Sequence, residues 1–532
     1  MTTLDVKIVS LDAGQPAEPA QAADSVGVCL SGGGSRALAC AMGQLRALRH
    51  LGLLDRVAAI SSVSGGTWAN VLFTYLPDTI GDDEFLGPVE LDPSQLTWEA
   101  LGQMAPHNLG QVPCRLGVLK ILEQLTQLAD TYASSDLWQA VVGRLVLGDF
   151  GLWQPEQQDG FDPHYFSGTA AYLAGADGPL ARNPQLDAGA FYAVQRPRPL
   201  PIFNASVFVN DGDDADLVPF EANCLLGVRA VFDQPGQLGV IGGGLIDSFA
   251  MGSSYLAERA AGEVETSVPL RPFSLNDIAG CSSVAPAEYF EEKFRQFSGL
   301  VPRYPYWPVH DRAVQPLQSY RFADGGNLEN LGIMPLLARG FARLLVLVNT
   351  DQGVALDPES GETVVSGDIP PLFGLQPFSR EHGYVPYSQD PGSGPNRMYR
   401  HSQVFPTEAF APLQQALLAA KRAGGSLLVR QTLEVLANPW FDVPAQAAVE
   451  VLWVHNDSVR AWSRQLPDAT QVELDLLSLD DFPLYGTITQ LHLPPTLVNA
   501  VAHLSCWNLA SDSTVGNPGC QSNAEVVRGL FG

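Results

Sequence analysis

The stretch VGVCLSGGGSRALACAMGQLRALRHL (Val26–Leu51), followed by VAAISSVSGGTW (Val57–Trp68), decides how this chain of 532 residues is read. Val26–Leu30 is a short apolar run of the kind that fills a strand buried on both faces. Three consecutive glycines, Gly32, Gly33 and Gly34, interrupt it. From Ala37 to Leu51 apolar residues recur three and four apart, the spacing of an amphipathic helix, and Gly52 stands where a C-terminal cap would. Val57–Ile60 is a second apolar run, Ser61–Trp68 turns sharply, and Ala69–Tyr75 suits another helix. Strand, glycine loop, helix, strand, turn, helix is the order of a parallel α/β sheet, whose neighbouring strands need helical crossovers.

Further along the chain the sheet signal fades between about residues 77 and 200. That segment reads as a helical, loop-rich insertion or cap, with amphipathic helices expected over 116–132 and 137–147. Strands resume at LPIFNASVF (Leu200–Phe208), at Tyr320–Ala323 and at Arg343–Asn349. A helix is expected over 410–422, a strand over 449–454 and a helix over 494–509, so the C-terminal third completes one sheet. The expected fold is a three-layer α/β/α arrangement with a central, mostly parallel sheet. Residues 1–25, rich in Ala, Pro and Gln from position 10 on, are expected as a flexible lead-in, and 26–532 as a single domain.

Composition excludes several functions. With 57 acidic against 30 basic residues the formal net charge is −27, the opposite of a nucleic-acid footprint. Adhesion to anionic lipid is disfavoured for the same reason, so any membrane contact must be apolar and local. The seven cysteines are scattered, without metal-like spacing, which suits reduced thiols and implies neither a metal nor another cofactor. The N-terminus lacks the basic start and apolar stretch of a leader, and no run reaches the length of a membrane span. The expectation is a cytoplasmic protein, with peripheral membrane contact at most.

Three places carry chemistry. A glycine loop between strand and helix can aim consecutive backbone N–H groups at one point, an anion site reinforced by the helix dipole. It lacks the G-x-G-x-x-G and trailing acid of a dinucleotide site and the Lys-Ser/Thr of a P-loop. Ser64, in Ser62-Val-Ser-Gly-Gly66, has the small neighbours that a strained nucleophile turn tolerates, although Ser62 stands where the usual elbow has glycine. Asp324, before Gly325-Gly326, ends a strand. Singly, each also fits an ordinary turn. Together they would converge at the carboxyl edge of a parallel sheet, where such folds place their sites.

In this order SGGGSRA (31–37), SVSGGTW (62–68) and FADGGNLENLG (322–332) resemble the catalytic domain of cytosolic phospholipase A2 and fungal phospholipase B, within the patatin-like superfamily. Weaker likeness runs through LPIFNASVF and FSLNDIAGCSSVAPAEYF (273–290). The resemblance implies a serine acyl hydrolase acting on phospholipid or lysophospholipid, with transient contact at a membrane or micelle surface. Ser64 would be the nucleophile and Asp324 the base, without histidine. Gly33 and Gly34 would form the oxyanion hole, and Arg36 would pair with the lipid phosphate. Burial would have to raise the Asp324 pKa, with apolar Leu328, Leu331, Ile333 and Leu336 nearby to supply it. No calcium-binding targeting module is implied. The alternatives are an esterase or acyltransferase on neutral lipid with the same dyad, and a non-catalytic phosphate- or nucleotide-binding protein.

Other candidates are weaker. Asn210–Asp216 is acidic but fails the spacing of a calcium-binding loop, and an acidic turn is expected. His310, His382, His401, His455, His492 and His503 stand singly and are expected to be structural. Val301–Trp307 fits either an interfacial loop or a loop packed on the core.

Overall fold

Strands β2 (Val26–Leu30), β3 (Val57–Val63), β4 (Leu200–Phe208), β12 (Arg343–Val348) and β14 (Gln446–His455) lie side by side in the order β4-β3-β2-β12-β14, all parallel. The computed structural model describes residues 3–11, 25–155, 160–210, 215–233, 239–313, 317–478, 481–486 and 490–532. Among these, fourteen strands form one sheet. The other nine are β1 (Thr3–Ser10), β5 (Leu217–Ala222), β6 (Leu225–Asp233), β7 (Val240–Asp247), β8 (Tyr255–Ala260), β9 (Glu263–Ser267), β10 (Arg303–Tyr306), β11 (Gln318–Ala323) and β13 (Leu427–Val435). Beyond β4 an antiparallel wing continues through β5, β6, β7, β1, β9 and β8, and β13 closes the opposite edge antiparallel to β14.

Alternation along the central strands divides the core into two. Leu345 and Leu347 belong to one hydrophobic cluster, and Leu344, Val346 and Val348 to the other. The first cluster also takes in α1 (Gly34–His50), α2 (Gly65–Thr74), α5 (Leu275–Ser282) and α8 (Pro495–Ala510); the second takes in the short helix Met334–Ala338 and α7 (Phe410–Ala423). A period of two in the strands therefore makes three layers, α/β/α, as expected.

Residues 3–10 correct the expected lead-in. Leu4, Val6 and Ile8 are buried on alternate positions, and β1 pairs with β9 and β7 inside the wing. Composition over a long window hid a period-two strand of eight residues. Residues 12–24 of that segment lie outside the described residues, as do 211–214 of the acidic turn.

The 77–200 segment, expected as an insertion or cap within one domain, packs into the main core. Its helices α3 (Val118–Leu128) and α4 (Ser134–Val142) bury Ile121, Leu125, Trp138 and Val141 in the same cluster as α1 and α2. The Trp138 indole donates to the carbonyls of Gly280 and Ser283, fastening α4 to α5. The interfacial reading of Val301–Trp307 gives way to core packing: Tyr304, Tyr306 and Trp307 are buried, and Arg303–Tyr306 is a strand paired with β11. Among the described residues no helix is long and apolar enough to cross a membrane.

Candidate active site

β3 runs out at Val63, and the chain turns directly into α2 through Ser64, whose φ of 50° and ψ of −120° are rare for any residue with a side chain. Holding that conformation costs about 1–3 kcal/mol, which the surrounding contacts must over-determine. The turn is possible because its neighbour is glycine: a Cβ on Gly65 would come within 2.1 Å of the Gly34 carbonyl oxygen. The elbow and the glycine loop are thus pressed backbone to backbone. Gly33, at φ 132°, caps α1, and Gly34 follows at φ 54°. The loop therefore enters the helix with its first N–H groups outside any helical ladder, beside the elbow.

Asp324 arrives from an unexpected direction. It follows β11, which pairs antiparallel with β4 at Ala323–Ser206 and Phe322–Val207. β3 pairs with β4 at residues 200–204, and β5 occupies the other edge of β4 at 206 and 207. β3 and β11 therefore approach end to end along one edge of β4. Two strands meeting head-on place Ser64 and Asp324 face to face across the gap between their ends.

Ser64 Oγ lies 3.1 Å from Asp324 Oδ2 and donates to it. Asp324 Oδ2 also accepts from the Ala285 N–H at 3.1 Å, and Oδ1 accepts from the Gly326 N–H at 2.9 Å. The side chains are buried, Asp324 to 3% exposure and Ser64 to 6%. Burial raises the Asp324 pKa to about 7; the Gly326 and Ala285 N–H groups oppose the shift, and the like charge of Glu288 adds to it. Glu288 is held through both oxygens by the Asn327 amide, at 3.2 and 3.1 Å. Leu328, Leu331, Ile333 and Leu336 are all buried nearby in the chain, in the cluster under the sheet.

Ser62, standing where the usual elbow has glycine, is fully buried and useful there. Its hydroxyl accepts from Asn70 Nδ2 at 3.0 Å and from Thr67 Oγ1 at 3.2 Å, and it donates to the Ile202 carbonyl. Arg36 is engaged by the protein itself. Its Nε donates to the Asn349 carbonyl at 2.9 Å, Nη1 donates to the Tyr485 carbonyl, and the Asp351 carboxylate lies 3.6 Å away. The guanidinium is 4% exposed and packs under Gly33, whereas Asp351 is half exposed. Arg36 thus packs beneath the glycine loop, and Asp351 is a half-exposed partner that a solvent-borne anion could replace.

No histidine is among the Asp324 or Ser64 partners above. His455 is buried between the Ser366 N–H and the Asn456 carbonyl, and His401 stacks on Trp440. Among the described residues no group of three or more His, Cys, Asp or Glu could hold a metal ion.

Sequence reading missed three contributors. Ser282 accepts the Ser64 N–H at 3.0 Å, Ala285 supplies a donor to Asp324, and the Asn330 carbonyl receives the Gly32 N–H at 3.0 Å. The first two lie in FSLNDIAGCSSVAPAEYF, a stretch whose likeness was visible but whose serines had no motif to mark them.

The fold and the site define a class: α/β proteins in which an elbow serine donates to a buried carboxylate beside a glycine loop opening a helix. Curated relatives fall in one group. Over 84 residues, 16% of this chain, the sequence is 40% identical to human cytosolic phospholipase A2 beta. Over 121 residues, 23% of the chain, it is 31% identical to human cytosolic phospholipase A2 zeta. The matched segments span only 11% and 13% of those relatives' lengths. The structure of human GIVD cytosolic phospholipase A2 aligns with 95% of this chain and 62% of its own, at 12% identity and a TM-score of 0.47. No model of a known protein family matches the chain.

Proposed function

We propose that the protein is a serine acyl hydrolase that cleaves fatty-acyl esters of phospholipids or lysophospholipids through Ser64 and Asp324. The observation that carries this reading is the 3.1 Å hydrogen bond between a strained elbow serine and a buried carboxylate 260 positions away. Ser64 Oγ attacks the ester carbonyl while its proton passes to Asp324 Oδ2. Negative charge developing on the carbonyl oxygen is received by the Gly33 and Gly34 N–H groups at the start of α1. Collapse expels the alcohol, which takes the proton from Asp324, and leaves Ser64 acylated. Asp324, again a carboxylate, then draws a proton from water as the oxygen attacks the acyl carbonyl, and it returns that proton to Ser64 Oγ as the fatty acid is released. A base that titrates near neutrality can both take and return a proton at physiological pH.

Sequence similarity to cytosolic phospholipases A2 supports the lipid substrate. Arg36 reads the lipid phosphate by exchanging the exposed Asp351 carboxylate for it. A second reading, the same dyad acting on neutral lipid esters, is favoured by one observation: Arg36 already has protein partners. Turnover of a phospholipid and of a neutral ester with the same acyl chain separates the two, the phospholipid reading requiring the higher kcat/KM for phospholipid. Fluorophosphonate labelling tests the chemistry. Wild type should label and Ser64→Ala should not; equal labelling, or none in either, would leave the glycine loop as a phosphate site without catalysis.

A further inference from the structure

We propose that Ser282 is a positioning residue for the nucleophile, and that the break between α5 and the following helix α6 (Ala285–Lys293) aligns both halves of the dyad. The inference rests on the hydrolase reading above and assigns a role to residues outside the three motifs.

Ser64 leaves the sheet ladder as β3 ends, so its N–H needs a partner inside the protein. The Ser282 hydroxyl oxygen supplies it at 3.0 Å. Ser282 is fully buried, and its one proton is shared between the Asn204 carbonyl, at 2.5 Å, and Thr67 Oγ1, which leaves its oxygen lone pairs for Ser64. Thr67 Oγ1, in the first turn of α2, accepts from that hydroxyl at 2.8 Å and donates in turn to Ser62 Oγ. Asn204 closes the circuit: its side-chain amide donates to Ser61 Oγ and to the Ser62 carbonyl, both at 2.9 Å, immediately before the elbow. Three residues after Ser282, the Ala285 N–H binds Asp324 Oδ2, the oxygen that also accepts from Ser64. Ser282 and Ala285, three positions apart, thus hold the nucleophile by its amide and the base by its acceptor oxygen. Ser282 touches no reacting atom; it acts through the Ser64 backbone, fixing a conformation the chain would otherwise leave.

Ser282→Ala removes the acceptor and adds no volume. We expect kcat on a short ester to fall by about tenfold, the rate equivalent of ~1.4 kcal/mol, with KM changed less than about twofold. Fluorophosphonate labelling of Ser64 should slow by the same factor. The acid limb of the pH profile should stay in place, because the Gly326 and Ala285 donors to Asp324 are untouched. Ser283→Ala is the control. Its hydroxyl is equally buried but bonds Trp68 Nε1 and the Ala279 carbonyl, away from the dyad, so kcat should hold. An unchanged kcat in Ser282→Ala, a loss matched by Ser283→Ala, or a loss accompanied by collapse of the melting temperature overturns the inference while leaving the hydrolase reading intact. Absence of labelling in wild type overturns both.

Discussion

The proposed proton acceptor can be made to report its surroundings. Asp324 accepts from Ser64 only as a carboxylate, and burial raises its pKa to about 7. At about pH 5 such a group is roughly 1% ionised, whereas an aspartate at its usual ~3.9 would be roughly 90% ionised. Activity measured as kcat/KM on a short neutral ester should therefore fall about a hundredfold between about pH 8 and pH 5, tenfold per unit below the midpoint. The limb in kcat/KM belongs to the free enzyme, so it reads the site described here. Glu288→Gln keeps the side chain's size and removes the like charge that helps to raise the Asp324 pKa. It should move the limb toward lower pH by less than about one unit, since desolvation remains the larger cause. The labelling rate with a fluorophosphonate, which needs the same proton acceptance, should trace the same curve. A profile flat down to about pH 5 would refute the claim that a buried carboxylate is the base, and a limb that Glu288→Gln shifts upward would refute the electrostatic account.

Stability should carry the same titration with a fixed sign. The folded protein holds the Asp324 proton up to about pH 7 and the unfolded chain only to about 3.9, so this contribution is full at low pH and is lost as pH rises through about 7. Asp324→Asn removes the loss; its melting temperature should exceed that of wild type by more at about pH 8 than at pH 5, with at most about 4 kcal/mol available. Gly65→Ala sets a Cβ 2.1 Å from the Gly34 carbonyl, backbone that cannot swing aside; denaturant melts should show a loss of about 2 kcal/mol or more, and labelling should disappear. Ser62→Gly restores the usual elbow residue but strips Asn70 and Thr67 of an acceptor, so it should cost about 1 kcal/mol in melts while kcat stays within about threefold.

Much of the fold was legible because it is local. The run Val26–Trp68 holds two buried strands, a glycine loop, a helix and an elbow in sequence order, and β2, α1, β3 and α2 follow it closely. Long apolar periods were equally readable in α7 and α8. The antiparallel wing was harder, since the pairing of β1 with β9 and β7 joins residues more than 200 positions apart. The lead-in expected over 1–25 failed at 3–10 because Leu4, Val6 and Ile8 are three residues diluted by the Ala- and Pro-rich stretch behind them. The 116–147 helices were found, but amphipathicity alone could not say that their apolar faces join the main core.

The sequence by itself determined the chemistry on offer: a serine among small residues, an aspartate before two glycines, and a loop able to bare its amides. Those are properties of residue type and near neighbours, and motif order preserves them. Tertiary structure alone decided that the two side chains meet, because β3 and β11 are steered end to end by a common partner, β4, from which long stretches of chain separate both. It also decided the acidity of Asp324, which depends on the volume of protein excluding water around it. Ser282 and Ala285 acquire their roles in the same way: a hydroxyl or an amide orients a site only when folding brings it within hydrogen-bond reach, and nothing in its own residue type announces that.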